Sequence, residues 1–257
     1  MQPHARLEAI WLASVERLRE VVREFKITQD ELHAAGDYFN RLGQSGFSRS
    51  LIDVALAMTS VDVTAGIKGG TRPNLEGPYH RPHGLRPDGN LLDRPPDPGE
   101  TRLTFAGTVR DAVTAAPISG VELDFWQTDG EGIYHLEDSH LSGVVVSDEN
   151  GRYRIETVVP ADYSQHDHDP IGELFRAMGR SNSRAAHLHL KAFFKGREYL
   201  TTQLFMPTSK ILDSDYVTGA VSADLIVTLQ PDGVDERGRA KMLCEFDVRL
   251  AGIDRNA

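Results

Sequence analysis

The chain has 257 residues, 40% of them hydrophobic and 26% charged, and 28 Lys+Arg against 38 Asp+Glu leave a formal net charge of −10. That length allows one or two domains with an ample core and no covalent staple, and the composition is that of a globular protein. The acidic balance, with no basic block to offset it, argues against a nucleic-acid partner, and no run reaches the ~18 apolar residues that cross a bilayer.

The N-terminus, MQPHARLEAIWLASVERLRE, carries charges inside its apolar stretch and so has no secretory core. A cytoplasmic protein with no membrane partner is the expectation. Residues 1–65 read as a helical segment. Leu7, Ile10, Trp11, Val15, Leu18, Val21, Val22 and Phe25 recur at helical spacing, with Glu16–Arg19 and Glu20–Arg23 on the wet face. Thr28 and Glu31 form a capping box, Leu32, Ala35, Phe39 and Leu42 give the next stripe, and Gly43 is a natural stop. Leu51, Val54, Ala55 and Met58 mark a third segment. Three short helices can bury these stripes on one another, on the rest of the chain or on a second subunit.

Residues 66–101 hold seven prolines and seven glycines, which excludes a long helix or a central strand. They predict an ordered connector or covering loop, with His80 and His83 as surface residues. From Thr101 the period changes to two. LTFAGTVRD, GVELDFWQ, GVVVSDENGRYRIETVV, AHLHLKAFF, YLTTQLF, ADLIVTLQ and LCEFDVRL are short alternating runs bounded by turn residues. Asp148–Gly151 reads as a hairpin turn, and GELFRAMG as one or two helical turns. The expected fold is mainly β: an antiparallel β-sandwich catalytic domain over 102–257 behind a helical N-terminal segment. The single cysteine, Cys244, lies in one of the alternating runs and is expected to be buried and structural.

His187-Leu188-His189 is the sharpest chemical feature. On a strand the two imidazoles share a face, about 6.6 Å apart along the backbone, where both can reach one ion. A cupin would add a glutamate four or five residues on, but Phe193 and Phe194 stand there. His166 and His168 interleave with Asp167 and Asp169 and read as a wet loop. Tyr134 follows a Gly-rich turn and Tyr163 ends a strand-like run at a proline. Taken singly, each is an ordinary strand-end tyrosine; as phenolates they are hard oxygen donors suited to Fe(III).

In their order and spacing, LEGPY, GTVRDAVTAAPISGVELDFWQTDGEGIY, SDENGRYRIETVVPADY and SRAAHLHLKAFFKGREYLTTQLF resemble the intradiol ring-cleavage dioxygenases of the catechol 1,2- and hydroxyquinol 1,2-dioxygenase type. The resemblance implies one Fe(III) per subunit held by Tyr134, Tyr163, His187 and His189, and a small-molecule catecholic substrate cleaved with O2 to a cis,cis-muconate-type product. It implies that Tyr163 leaves the iron and acts as a base. Arg184 and Gln203 would bind substrate and stabilise developing charge, and Tyr79 would line the pocket mouth. It also implies a homodimer built through the N-terminal helices. The chain reads Arg184-Ala185-Ala186-His187 where the family usually has a proline after the arginine, a change expected to loosen the approach to the strand. WQTD points toward the hydroxyquinol and chlorocatechol branches and LTTQ toward the catechol and chlorocatechol branches, so hydroxyquinol and chlorocatechol remain alternative substrates. Two other classes stay open: a non-enzymatic transthyretin-like binding sandwich, and a zinc hydrolase using the histidine pair.

Overall fold

A computed structural model describes residues 3–65 and 69–253. Residues 1–2 of the helical segment, 66–68 of the connector and 254–257 of the sandwich lie outside the described residues. The chain divides into two compact units, Met1–Arg49 and Ser50–Ala257.

The first unit holds α1 (Pro3–Phe25) and α2 (Gln29–Gln44). α1, 23 residues in all, is long, not short, because nothing after Pro3 at its first position breaks a helix. The expected capping box closes the start of α2: the Glu31 amide donates to Thr28 Oγ1 (3.3 Å), and the Thr28 amide donates to Glu31 Oε2 (2.8 Å). Leu7, Trp11, Leu18 and Phe25 of α1 stay exposed.

α3 (Ser48–Ile52) runs across the boundary, and the second unit continues with a π-helical turn at Asp53–Ala57 and α4 (Met58–Ala65). The Val54 carbonyl, in the π turn, accepts from the Thr218 amide (3.0 Å), while Val54 and Met58 are buried. Eleven strands and one more helix follow. They are β1 (Arg102–Asp111), β2 (Glu122–Gln127), β3 (Ser142–Val146), β4 (Arg152–Val158), β5 (Tyr163–Ser164), α5 (Pro170–Ala177), β6 (Ser183–Arg184), β7 (His187–Phe194), β8 (Arg197–Phe205), β9 (Gln230–Val234), β10 (Ala240–Glu245) and β11 (Val248–Leu250).

One sheet runs β3-β2-β7-β8, antiparallel throughout. In the other, β1 is flanked on one side by antiparallel β4 and on the other by β10 and β11, both parallel to it, with β9 at the edge. The expected sandwich is therefore present, with a second sheet that is mixed. Leu123 and Phe125 of β2, Leu188 and Leu190 of β7, Phe105 of β1 and Ile155 of β4 are fully buried. The Phe105 and Phe125 rings meet edge-on at 6.2 Å across the two sheets. Each such side chain contributes about 1.5–3 kcal/mol by leaving water. Cys244 is buried as expected.

Several expectations are corrected. Asp148–Gly151 makes a turn (Gly151 amide to Asp148 carbonyl, 2.9 Å), but β3 pairs with β2 while β4 pairs with β1, so the turn crosses between sheets and forms no hairpin. ADLIVTLQ is not a strand. It starts as a 3-10 turn (Ala223–Leu225) and touches β8 through a single bridge at Phe205–Ile226. Its alternation reflects Leu225 and Val227 plugging the core. The strand that follows, β9, reads QPDGV and is exposed throughout, which suits a proline-bearing edge and erases the periodic signal. LCEFDVRL is broken into β10 and β11. α5 starts at Pro170, earlier than GELFRAMG, because Asp169 caps it by accepting from the Ile171 and Gly172 amides. His166 is buried, its Nδ1 2.5 Å from Asp169 Oδ2, and is no part of a wet loop; His168 is exposed. His80 and His83 are half-buried against Asp124 rather than on the surface. Among the described residues no helix is long and apolar enough to cross a membrane.

Candidate active site

Strand alternation places the site. In β7 the leucines face the core, so His187 and His189 face the opposite side of the sheet. Register puts Trp126 of β2 and Gln203 of β8 directly beside His189 on that same face. Trp126 stacks on the His189 imidazole at 4.5 Å with 7° between the planes. A second ladder supplies the flank. β5 and β6 pair so that Tyr163 lies opposite Arg184, three residues before His187. Tyr134 arrives from the turn after β2. Gly132 makes this possible: its φ is +86°, and a Cβ there would sit 2.6 Å from the Asp162 carbonyl oxygen. The backbone of the Tyr134 turn can therefore lie against that of Tyr163.

The structure brings Tyr134, Tyr163, His187 and His189 together. Tyr134 Oη and His187 Nε2 each lie 3.0 Å from His189 Nε2. The Tyr134 and Tyr163 rings meet edge-on at 5.3 Å, and the Tyr163 and His187 rings are 5.7 Å apart. The two phenols point into the site, not into water as strand-end tyrosines usually do.

Electrostatics keep all four groups neutral in the absence of a cation. Burial pushes the Tyr134 phenol well above its usual range, and the neighbouring Tyr163 pushes it further. Burial also raises Tyr163, opposed by the Arg184 charge and the hydrogen bond from Tyr134. Burial holds His187 and His189 well below the usual imidazole value, with the Arg184 charge adding to the effect on both and His187 adding to it on His189. The Ala185 carbonyl, 2.6 Å from His187 Nδ1, accepts that nitrogen's proton and leaves Nε2 as a bare lone pair aimed at the site.

Arg184 and Gln203 adjoin this set. Arg184 is buried and donates from Nε to both oxygens of Asp215 (3.1 Å each) and from Nη2 to Gln203 Oε1 (2.5 Å). Burial works against its charge, but the Asp215 carboxylate more than offsets this and raises the guanidinium pKa. Gln203 donates from Nε2 to the Leu75 carbonyl (2.9 Å), tying the connector to β8. The Tyr79 ring lies on Tyr134 at 4.4 Å, and 6.5 Å from Tyr163.

Sequence reasoning missed Asp215, one acidic residue among 38 with no motif around it. Its carboxylate also accepts from the Ala185 amide (2.8 Å) and the Val217 amide (2.8 Å). The alanine at 185 therefore does not loosen the approach to β7. It supplies an N–H that proline lacks, and Asp215 holds it. Trp126 lay within a quoted motif, but only the cross-strand register shows it backing His189.

Comparison with known proteins decides the family. A family model described as Dioxygenase matches residues 75–252. The chain belongs to the intradiol dioxygenase family. This dioxygenase is 31% identical to 6-chlorohydroxyquinol 1,2-dioxygenase of Cupriavidus pinatubonensis, covering 84% of this chain and 82% of that one. It is 29% identical to chlorocatechol 1,2-dioxygenase of Pseudomonas sp. strain P51, covering 89% and 92% of the two chains. Its fold superposes on the crystal structure of 3-chlorocatechol 1,2-dioxygenase from Rhodococcus opacus 1CP with a TM-score of 0.85 at 27% identity, covering 97% and 99%. The dioxygenase is an oxidoreductase that opens aromatic rings, and the match displaces the transthyretin-like reading. The family implies non-haem iron. Two phenol oxygens and two imidazole nitrogens, three of them on buried residues and Tyr134 half-buried, free of thiolate and held neutral until a cation arrives, fit a hard iron ion.

Proposed function

We propose that this dioxygenase holds one ferric ion per chain on Tyr134, Tyr163, His187 and His189. With it, the enzyme cleaves catechol-type diols with O2 between their two hydroxylated carbons, giving cis,cis-muconate-type dicarboxylates. The convergence of those four donors beside a buried Arg184–Gln203 pair is the observation that supports this best. When bound, the ion supplies a Lewis acid and charge-transfer centre for the two catechol oxygens.

The chain's own residues do the rest. Tyr163 would take a substrate hydroxyl proton at its Oη, since burial favours its neutral phenol. Arg184 spends one N–H on Asp215 and one on Gln203. Its remaining N–H groups are free to meet negative charge that builds on the ring, already oriented in a water-poor site. Tyr79 shapes the mouth with its ring.

Named relatives act on chlorocatechol, 6-chlorohydroxyquinol, hydroxyquinol and catechol, and the proposed substrate is the catechol class they share, with hydroxyquinol the nearest alternative. Oxygen uptake by iron-loaded protein against catechol, chlorocatechols, methylcatechols, hydroxyquinol and protocatechuate, with product spectra, tests this. A red-brown protein and stoichiometric O2 uptake with at least one of them are expected. A colourless protein holding zinc alone, or no uptake with any, overturns it.

The proposed division of labour gives 1–65 to dimerisation, 66–101 to the pocket mouth and 102–257 to catalysis. The exposed Leu7, Trp11, Leu18 and Phe25 support a homodimer, which light scattering on the eluting protein tests directly. A lone buried cysteine with no disulfide suits a cytoplasmic enzyme.

A further inference from the structure

We propose that His80, His83 and Asp124 form a second cation site, distinct from the four-donor centre, which takes one divalent transition ion such as Zn2+ and pins the connector onto β2. The proposal does not depend on the substrate or on the state of the iron.

Asp124 lies on the same face of β2 as Trp126, and its carboxylate is buried. Each of its oxygens meets a different imidazole: Oδ2 is 2.9 Å from His80 Nε2, and Oδ1 is 2.6 Å from His83 Nδ1. One ligand atom from each of the three residues lies within 4.8 Å of the others. An ion about 2 Å from each donor needs them within about 4 Å of one another, so closure takes less than about 1 Å of movement per ring. The two histidines are three apart on one loop, so a single loop adjustment serves both.

Charge points the same way. Lys191 faces Asp124 across the β2–β7 register, and its Nζ is shared between Glu76 (2.5 Å) and Glu198 (3.0 Å). Three carboxylates against one ammonium leave two negative charges beside two imidazoles, a deficit that a dication neutralises. Glu76 Oε1 also lies 3.8 Å from His80 Nδ1, the nitrogen facing away from Asp124. An ion on Nε2 would place Glu76 behind the ring, where a small shift would let its carboxylate orient the histidine.

The position gives the ion a use. The His80 ring lies 4.6 Å from Trp126, whose indole stacks on His189. Anchoring His80 and His83 to β2 fixes the loop that carries Tyr79 over the catalytic face.

The test is calorimetric titration of iron-loaded protein with Zn2+, and separately with Co2+, followed by elemental analysis. Wild type is expected to take one equivalent beyond its iron, to keep that iron, and to melt at a higher temperature with Zn2+. His83→Ala is expected to lose this equivalent and the thermal shift while retaining iron. Glu76→Gln, a milder change at an exposed residue, is expected to weaken Zn2+ binding about 10–100-fold, and it decides the question if His83→Ala does not fold. Three results each overturn the proposal: no uptake beyond iron in wild type, uptake matched one for one by iron loss, or wild-type affinity in both variants.

Discussion

Replacing Asp215 with asparagine tests how the site is held. The Asp215 side chain is only 3% exposed. Oδ1 accepts from Arg184 Nε and the Val217 amide, and Oδ2 from Arg184 Nε and the Ala185 amide. An asparagine of the same shape must put its NH2 at one of those positions. Either way the NH2 faces a backbone N–H, so a buried donor loses its acceptor, at about 1–3 kcal/mol. The Arg184 guanidinium also loses its counter-charge while still buried, and breaking such a pair costs about 3–5 kcal/mol in all. Part of this falls on global stability, readable as a lower urea midpoint. The rest falls on the pose of Arg184, whose only other side-chain hydrogen bond among the described residues is to Gln203. A turnover number reduced about 10²-fold is expected, as for loss of one preorganised donor, with iron content kept because the hydrogen bonds of Asp215 go to Arg184 and to the Ala185 and Val217 amides and, among the described residues, none goes to the four proposed ligands. Iron assay, denaturation and steady-state O2 uptake on the same preparation separate the effects. Wild-type turnover in Asp215→Asn would refute the reasoning, and loss of iron would move Asp215 into the metal's own support.

Tyr134→Phe or His187→Ala should bleach the red-brown colour and abolish turnover; full iron and normal rates in both would dismiss them as ligands. Arg184→Ala should keep iron and slow turnover by roughly 10²-fold, and Arg184→Lys should not restore it, because a compact ammonium lacks the planar fork that meets Asp215 from Nε and Gln203 from Nη2 while leaving further N–H groups in place. Gly132→Ala forces a left-handed φ on a residue with a Cβ and drives that carbon into the Asp162 carbonyl. Of order 1–3 kcal/mol of destabilisation and weaker iron retention should follow, measured by thermal melting and chelator challenge. Cys244, whose thiol burial pushes up to about 12, should resist aromatic disulfide reagents at pH 8 until urea unfolds the chain. Rapid labelling of native protein would contradict its burial.

Local chemistry in the sequence determines much of this molecule. The Thr28–Glu31 capping box, the helical stripes, the shift to period two at Thr101 and the burial of Cys244 each depend on neighbours within a few residues, where spacing alone carries the physics. The paired faces of His187 and His189 follow from strand alternation for the same reason. Tertiary structure decided what depends on residues far apart in the chain. Asp215 meets Arg184 from 31 residues away, and Trp126 reaches His189 only through sheet register. Asp124 gathers His80 and His83 from a loop more than 40 residues earlier. β1 takes parallel partners from the end of the chain, which no short-range pattern encodes. QPDGV becomes a strand only because an edge was there to receive it. Short-range periodicity records which face of an element is apolar, but not which distant element that face will meet, and polar contacts between distant elements leave no trace in local spacing.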